Sequence, residues 1–538
     1  MNITTFAIRL YIFYLLIIMT SCNQTNITVL SNCTIPSYPN ANSISLANGK
    51  IISIGNNLAG DIMVNLNGGV VYPGFSDSHM HLVGYGKSLE KLDLVGTKSI
   101  SEITNIISKS YDQSSKWIEG RGWDQNDWAD INFPTKTDLD LVAKDQPVYL
   151  RRIDGHAAWV NSKVLSICGI NKKTQDPDGG KIIRDKDGQP TGILIDNAID
   201  LIDKFLPEDN VVDKRRYIEN AVKKLNEFGL TTIHDAGTDI ETINILKQLI
   251  QEGKLSIRIN AMLNNNIKDY NKYINNGPER INDFLFIHSV KIYFDGAMGS
   301  RGAYLLEPYS DDPNNSGLTI TNEKSVRKKI KLFNDAGLQV AIHCIGDKAN
   351  RIALNIFEES GNKLLRNRIE HAQIIHNDDI KRFSELGVIP SMQATHCTSD
   401  MYWIDERLGP ERIHQSYPWK SLLKSGSIIP GGSDAPVETP DPLLGVYAAV
   451  TRMDIEGWPA KGWLPNERMT IDQAISSITQ WSAYSMFAEK LFGKIQKGYV
   501  ADFTVLNKNL TNIDPRIIPE VKILYTIVDG KIVYQNDK

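Results

Sequence analysis

Short apolar runs that end in polar or glycine-containing turns recur along the middle of the chain, most of them separated by segments with helical periodicity. In order they are VVYPGFSDSHMH (70–81), GLTTIHDAG (229–237), LSIRINAML (255–263), SVKIYFDGAMG (289–299), LQVAIHCIG (338–346), RNRIEHAQ (366–373), GVIPSMQAT (387–395) and SIIPGGSDAP (427–436). Eight buried strands alternating with helices predict an α/β protein built on a (β/α)8 TIM-like barrel, with its functional residues at the C-terminal strand ends. The chemically capable side chains of these runs do fall at those ends. Two flanking regions follow a different pattern. From Asn26 to Val71, and again over the last 48 residues, short β-like runs alternate with turn signals such as Asn48-Gly49 and Asp529-Gly530. The pattern predicts a small β-sandwich from 22–73 with 491–538, a barrel from 74–86 with 229–490, and an inserted subdomain at 87–228. The insert is too long for one connection and is expected to cover the barrel mouth as a lid.

The N-terminus adds a targeting signal. Arg9 precedes the apolar run LYIFYLLIIM (10–19), which is too short to span a bilayer and reads as a signal peptide over residues 1–21. Thr20 and Ser21 before Cys22 resemble a bacterial lipobox, although Met19 replaces the usual leucine. Cys22 is therefore expected to be the lipidated first residue of an exported lipoprotein held to a bacterial envelope membrane by that anchor alone. Export would place Cys33, Cys168, Cys344 and Cys397 in an oxidising compartment, and at least two are expected as free, buried thiols.

Composition narrows the partner. The chain has 538 residues with 59 Lys+Arg against 63 Asp+Glu and a net charge of −4, which gives no electrostatic footprint for nucleic acid. A small-molecule substrate is the expected partner, and a homo-oligomer is left open.

Histidine placement carries the chemistry. His79 and His81 are two apart on a strand, so both imidazoles share a face and can converge on one divalent ion. Asp77 has the same parity and is expected to orient the rings. His343, His371 and Asp434 end three further runs, so the barrel would bring four histidines and an aspartate together. Nitrogen and carboxylate ligands suit zinc, and also manganese, iron or nickel. Lys291 sits inside an apolar run, where an ammonium is costly to bury. It is either a carbamate able to bridge metals or an ammonium paired with Asp295 or a substrate carboxylate.

PGFSDSHMH, the strand-four lysine, VAIHCIGD, IEHAQ and GGSDAPV resemble the amidohydrolase superfamily. DGHAAWVNSKVL, VKIYFDGAMGSRGA, AIHCIGDKAN and GSDAPVETPDPLLGVYAAVTR narrow the resemblance to the family 3 branch that includes N-substituted formamide deformylases. It extends from about Asn26 to the C-terminus, insert included. The resemblance implies His79 and His81 on one metal, Lys291 as a bridging carbamate, His343 and His371 on a second, and Asp434 on the attacking hydroxide. One or two ions, zinc foremost, would lower the pKa of water from about 15.7 to near 7. Hydroxide would then cleave a non-peptide carbon–nitrogen bond with Asp434 as proton shuttle. With one ion only, His371 would instead polarise the substrate by a hydrogen bond.

Four residues are expected to bind substrate. Asp295 and Arg301 follow the fourth run, Arg301 as an anion clamp or the two as a pair that holds the loop. His156 and Trp123, with Asp124 beside it, belong to the insert: His156 as a substrate donor or a buried structural hydrogen bond, Trp123 and Asp124 as pocket wall or, more in keeping with an aromatic-rich insert, as lid packing. His234 reads as structural and His396 as a weaker substrate contact; His288, His376 and His414 receive no role. Two competing readings are a hydrolytic deaminase on the same barrel and a non-catalytic binding lipoprotein. Cys344-Ile345-Gly346 after His343 departs from the HxxE deaminase pattern, and no metal ligand is missing as an idle barrel would require.

Overall fold

The computed structural model describes residues 26–109, 117–125, 128–130, 132–152, 157–177 and 180–536. The signal segment, Cys22 and His156 lie outside the described residues. Contacts divide the chain into two compact units, Met1–Met80 with Val222–Lys538, and His81–Ala221.

The first unit contains eight parallel strands: β1 (Phe75–Met80), β2 (Leu230–Thr238), β3 (Arg258–Leu263), β4 (Leu285–Tyr293), β5 (Gln339–Cys344), β6 (Arg368–His371), β7 (Ile389–Gln393) and β8 (Gly431–Gly432). Each pairs with its neighbour in chain order. The Asp434 N–H donates to the His79 carbonyl at 2.6 Å, joining the end of β8 to β1 in a nearly closed TIM-like barrel. All eight apolar runs of the sequence contain or overlap one of these strands. β4 begins earlier than its run, because Leu285, Phe286 and Ile287 also pair antiparallel with Glu279–Ile281.

β8 lies close against β1. A Cβ on Gly432 would lie 2.5 Å from the His79 nitrogen and 2.9 Å from Asp77 Oδ1, so this close approach to β1 admits only glycine. The intervening helices are capped in the ordinary way. Asp239 accepts from the Thr242 N–H ahead of Ile240–Gln251, Asn322 from Ser325 ahead of Glu323–Asp335, and Asp441 from Leu443 ahead of Pro442–Thr451.

Two four-stranded sheets complete this unit. One contains Thr28–Ser31, Ser43–Ala47, Lys50–Gly55 and Ile62–Asn65; the other pairs Val70–Pro73 with Phe503–Leu506, Ile523–Val528 and Lys531–Gln535. They share one apolar cluster that includes Ile44, Leu46, Val71, Phe503, Val505 and Ile527. Asn48-Gly49 and Asp529-Gly530 form two-residue hairpin turns with positive φ at both positions. Arg258 on β3 donates from Nε and Nη2 to Asp502 at 2.5 and 2.9 Å, a buried ion pair tying the barrel to the C-terminal strands.

The second unit is built on a six-stranded sheet from Leu92–Asp93 to Gly180–Arg184. Trp123, Trp128 and Trp159 pack in one of its apolar clusters. Cys33, Cys168, Cys344 and Cys397 are free thiols, three of them buried. Among the described residues, no helix is long and apolar enough to cross a membrane.

Candidate metal centre

The centre is built at the C-terminal ends of the barrel strands. His79 on β1 is completely buried, and its Nδ1–H donates to Glu370 Oε2 on β6 at 2.5 Å. Burial alone would raise the Glu370 pKa, but the neighbouring Arg368 and His79 hold it well below the usual carboxylate range. An ionised Glu370 only accepts hydrogen bonds, which fixes the His79 tautomer and leaves Nε2 with its lone pair. That Nε2 lies 3.2 Å from Lys291 Nζ on β4 and 3.5 Å from Asp434 Oδ1 after β8.

Arg368 anchors this arrangement from beneath. Its guanidinium donates to both Glu370 oxygens at 2.7 and 3.0 Å, to the Ser78 carbonyl and to Ser391 Oγ, and to His234 Nδ1 at 2.8 Å. Because guanidinium has no acceptor, His234 must accept at Nδ1, and its Nε2–H donates to Ser482 at 3.1 Å. His234 is thereby occupied on both nitrogens, and burial together with Arg368 holds its pKa well below the ordinary imidazole value.

His79, His343 and His371 are held neutral as well. Burial pushes His79 down to about 4 and His343 to about 3, with Lys291 adding to the effect in each case. His371 is lowered as well, first by burial and then by His343. Its Nδ1–H donates to Gln393 Oε1 at 2.9 Å, directing Nε2 the other way. The backbone is strained where these residues sit: φ is +72° at His371, +45° at Ala372 and +60° at Asp434. Left-handed geometry at non-glycine positions is typical of places where a side chain must be aimed.

Two sets of three donors result. His79, His81 and Asp434 each offer a ligand atom, all within 4.8 Å of one another, and so do His371, His396 and Asp434. His81 follows β1 directly and occupies the position before helix Leu82–Ser88. The His343 ring stands 4.5 Å from that of His371, centroid to centroid, and His343 Nε2 is 3.8 Å from Asp295 Oδ1. Among the described residues, His343 joins neither set. The buried Nε2 atoms of His343 and His396, which lack hydrogen-bond partners, fit a divalent cation.

Several expectations are corrected by the geometry. Asp77 does not orient a ring: it accepts from the backbone N–H of His79 and from the N–H and hydroxyl of Ser433, pinning β1 to β8. Asp295 pairs with neither Lys291 nor Arg301. Its buried carboxylate accepts the backbone N–H groups of Tyr304, Ile345 and Gly346, and burial pushes its pKa up to about 7. Arg301 instead donates from Nε and Nη2 to Asp311 at 3.1 and 2.8 Å. Trp123 is no pocket wall; it is fully buried in the second unit, with its indole N–H on the Leu150 carbonyl at 3.0 Å. Lys291 is buried, and burial lowers its pKa to about 8 against the opposing pull of Glu370 and Asp434.

The sequence reading missed Arg368 and Glu370. Their signal was present, because two charged residues spaced by two in an apolar run must face the same interior.

A family model described as the amidohydrolase family matches residues 63–534. The chain belongs to the amidohydrolase family. This amidohydrolase is 36% identical over 484 residues to YtcJ of Bacillus subtilis (strain 168), whose name assigns it to the amidohydrolases, with 88% of this chain and 90% of that protein covered. It is 24% identical to the N-substituted formamide deformylase of Arthrobacter pascens over 88% of this chain and 90% of that protein. A crystal structure described as an uncharacterized metal-dependent hydrolase from Pyrococcus horikoshii superposes with a TM-score of 0.75 at 31% identity, covering 91% of this chain and 99% of that one. The family is metal-dependent and hydrolytic, and the placement of His79 and Asp434 at the ends of β1 and β8 agrees with that chemistry.

Proposed function

We propose that this amidohydrolase cleaves a non-peptide carbon–nitrogen bond, an N-formyl or N-acyl amine, at the centre formed by His79, His81 and Asp434. The carrying observation is the convergence of the His79 and His81 imidazoles on the Asp434 carboxylate, with Lys291 beside His79. The name of the Arthrobacter relative supports the formamide class. A divalent ion, zinc on the strength of the nitrogen and oxygen donors, would supply an acidified water and polarise the acyl oxygen.

The chain's own residues do the rest. Glu370 and Arg368 hold His79 in one tautomer, so that its Nε2 is offered as a lone pair. Asp434 takes a proton from the attacking water and delivers it to the departing nitrogen, acting first as base and then as acid. Lys291, with its amine lowered to about 8, has an uncharged fraction at neutral pH that can add carbon dioxide. The resulting carbamate would present a carboxylate next to His79. Incorporation of 13C-bicarbonate, read as a carbamate carbon resonance that disappears in Lys291→Met, tests this; its absence from the loaded protein would contradict it.

Purified protein screened against N-formyl and N-acyl amines should release free amine. Asp434→Asn, with metal content measured alongside, should lower that rate about 100- to 10,000-fold. An unchanged rate would refute the proton role, and ammonia release from amino-heterocycles without amide hydrolysis would favour a deaminase. Export and lipid anchoring through Cys22 are part of the same proposal, tested by labelling with a palmitate analogue and its loss in Cys22→Ala.

A further inference from the structure

Among the described residues three arginines are fully buried, and two of them meet a carboxylate: Arg258 meets Asp502, and Arg368 meets Glu370. Arg452 does not. It follows helix Pro442–Thr451 with a left-handed backbone, φ +55°. Its Nε donates to the Trp463 carbonyl at 2.7 Å and its Nη1 to the Tyr417 carbonyl at 3.0 Å, while Nη2 is buried with no hydrogen-bond partner. The guanidinium carbon lies over the rings of Trp419 and Trp463, 4.4 and 5.1 Å from their centroids. Those faces attract a cation but carry no net charge. A guanidinium keeps its proton even where burial lowers its pKa, so the positive charge stays.

The segment that meets Arg452 brings further donors. Tyr417 is also left-handed, φ +50°, and the Trp419 N–H donates to the Tyr417 carbonyl at 2.9 Å, so Ser416 and Trp419 belong to one tight turn against the guanidinium. Trp419 Nε1 and Ser416 Oγ are both buried, and neither has a hydrogen-bond partner. An indole N–H and a guanidinium N–H can only donate, and a hydroxyl is able to. An acceptor satisfies them, and the uncompensated charge of Arg452 calls for a negative one. We propose that Nη2 of Arg452 and Nε1 of Trp419 hold a buried monovalent anion, chloride by size and charge, with the Ser416 hydroxyl as a third donor. All three residues are at most 1% exposed, which suits a small ion. One negative charge balances the one guanidinium, whereas a doubly charged oxyanion would leave a buried excess. None of these residues belongs to the metal donor sets, so the inference stands apart from the proposed function.

Full-length protein in sodium gluconate is titrated with sodium chloride or sodium bromide at constant ionic strength, and thermal unfolding is followed. The melting temperature should rise with halide and level off, because an ion bound only by the folded chain stabilises it by mass action. Trp419→Phe keeps a ring beneath the guanidinium and removes one donor, and should need about tenfold more halide for the same rise. Arg452→Met should show no halide-dependent rise. Crystals of the wild-type protein grown in sodium bromide should give an anomalous peak within hydrogen-bond distance of Arg452 Nη2 and Trp419 Nε1, a readout that holds even if Arg452→Met does not fold. Equal melting temperatures in gluconate and halide, an unchanged halide response in Trp419→Phe, or a water alone at those donors would overturn the site.

Discussion

Replacing Glu370 by glutamine keeps the shape of the side chain and removes one buried negative charge from between two groups that depend on it. In the native arrangement Glu370 accepts from His79 Nδ1 at 2.5 Å and from Arg368 at 2.7 and 3.0 Å, and both Arg368 and Glu370 are fully buried. A glutamine presents an N–H2 where one carboxylate oxygen stood, so a donor faces a donor on either the His79 or the Arg368 side. For His79 this weakens the bond that fixes its tautomer. Loss of such a partner to a metal-ligating histidine costs about 10- to 100-fold in metal affinity, equivalent to roughly 1.4–2.7 kcal/mol. For Arg368, removing the paired charge from a buried site costs on the order of 3–5 kcal/mol of folding stability. The lower end applies here, because Arg368 keeps its bonds to His234, Ser78 and Ser391. Competition for Zn2+ with a chromophoric chelator measures the first effect, and guanidinium unfolding of the metal-free protein measures the second. The double variant Arg368→Met with Glu370→Met should be less destabilised than Glu370→Ala, since no uncompensated charge remains. Wild-type zinc affinity and stability in Glu370→Gln would refute the claim that this pair holds His79.

Three other outcomes follow from separate parts of the molecule. Asp502→Ala leaves the Arg258 guanidinium without the carboxylate it meets at 2.5 and 2.9 Å, and should lower stability by about 3–5 kcal/mol in guanidinium unfolding; a change under about 1 kcal/mol would contradict the importance of that pair. Burial raises the Asp441 carboxyl above the usual range against the helix N–H groups that favour its ionised form, so the folded chain keeps this proton to higher pH than the unfolded chain. Its contribution is therefore full at acid pH and lost as pH rises through the folded pKa, and Asp441→Asn, which keeps the cap, should gain stability over wild type as pH rises from the ordinary carboxylate range through the folded pKa; a gain in the opposite direction would reverse the assignment. Trp123→Phe should lower stability by about 1–3 kcal/mol through the orphaned Leu150 carbonyl, while leaving KM for the best amide substrate unchanged.

The barrel was legible because alternating apolar runs and helices leave few architectures, and all eight runs contain or overlap a strand. Placement of chemistry at strand ends was equally legible, since parity and run endings are local properties of the chain. What could not be read were partnerships set by distant segments. Arg301 meets Asp311 across a loop rather than the nearer Asp295, and Asp295 is consumed by three backbone N–H groups whose positions depend on how the loops after β4 and β5 fold. Trp123 could be read either as pocket wall or as packing because an aromatic next to polar residues has no visible interior from sequence alone. Arg368 was overlooked for the opposite reason: a charged residue inside an apolar run is a strong signal, but its meaning appears only when Glu370, His79 and His234 are brought to it.

The most direct test is to strip the purified protein of metal and follow amine release from N-formyl and N-acyl amines as Zn2+ is returned in known equivalents. The account predicts no turnover in the stripped protein, activity rising in proportion to bound zinc, and no recovery in His79→Ala. Full activity without metal, or a zinc-loaded chain that releases no amine from any member of the panel, would contradict it.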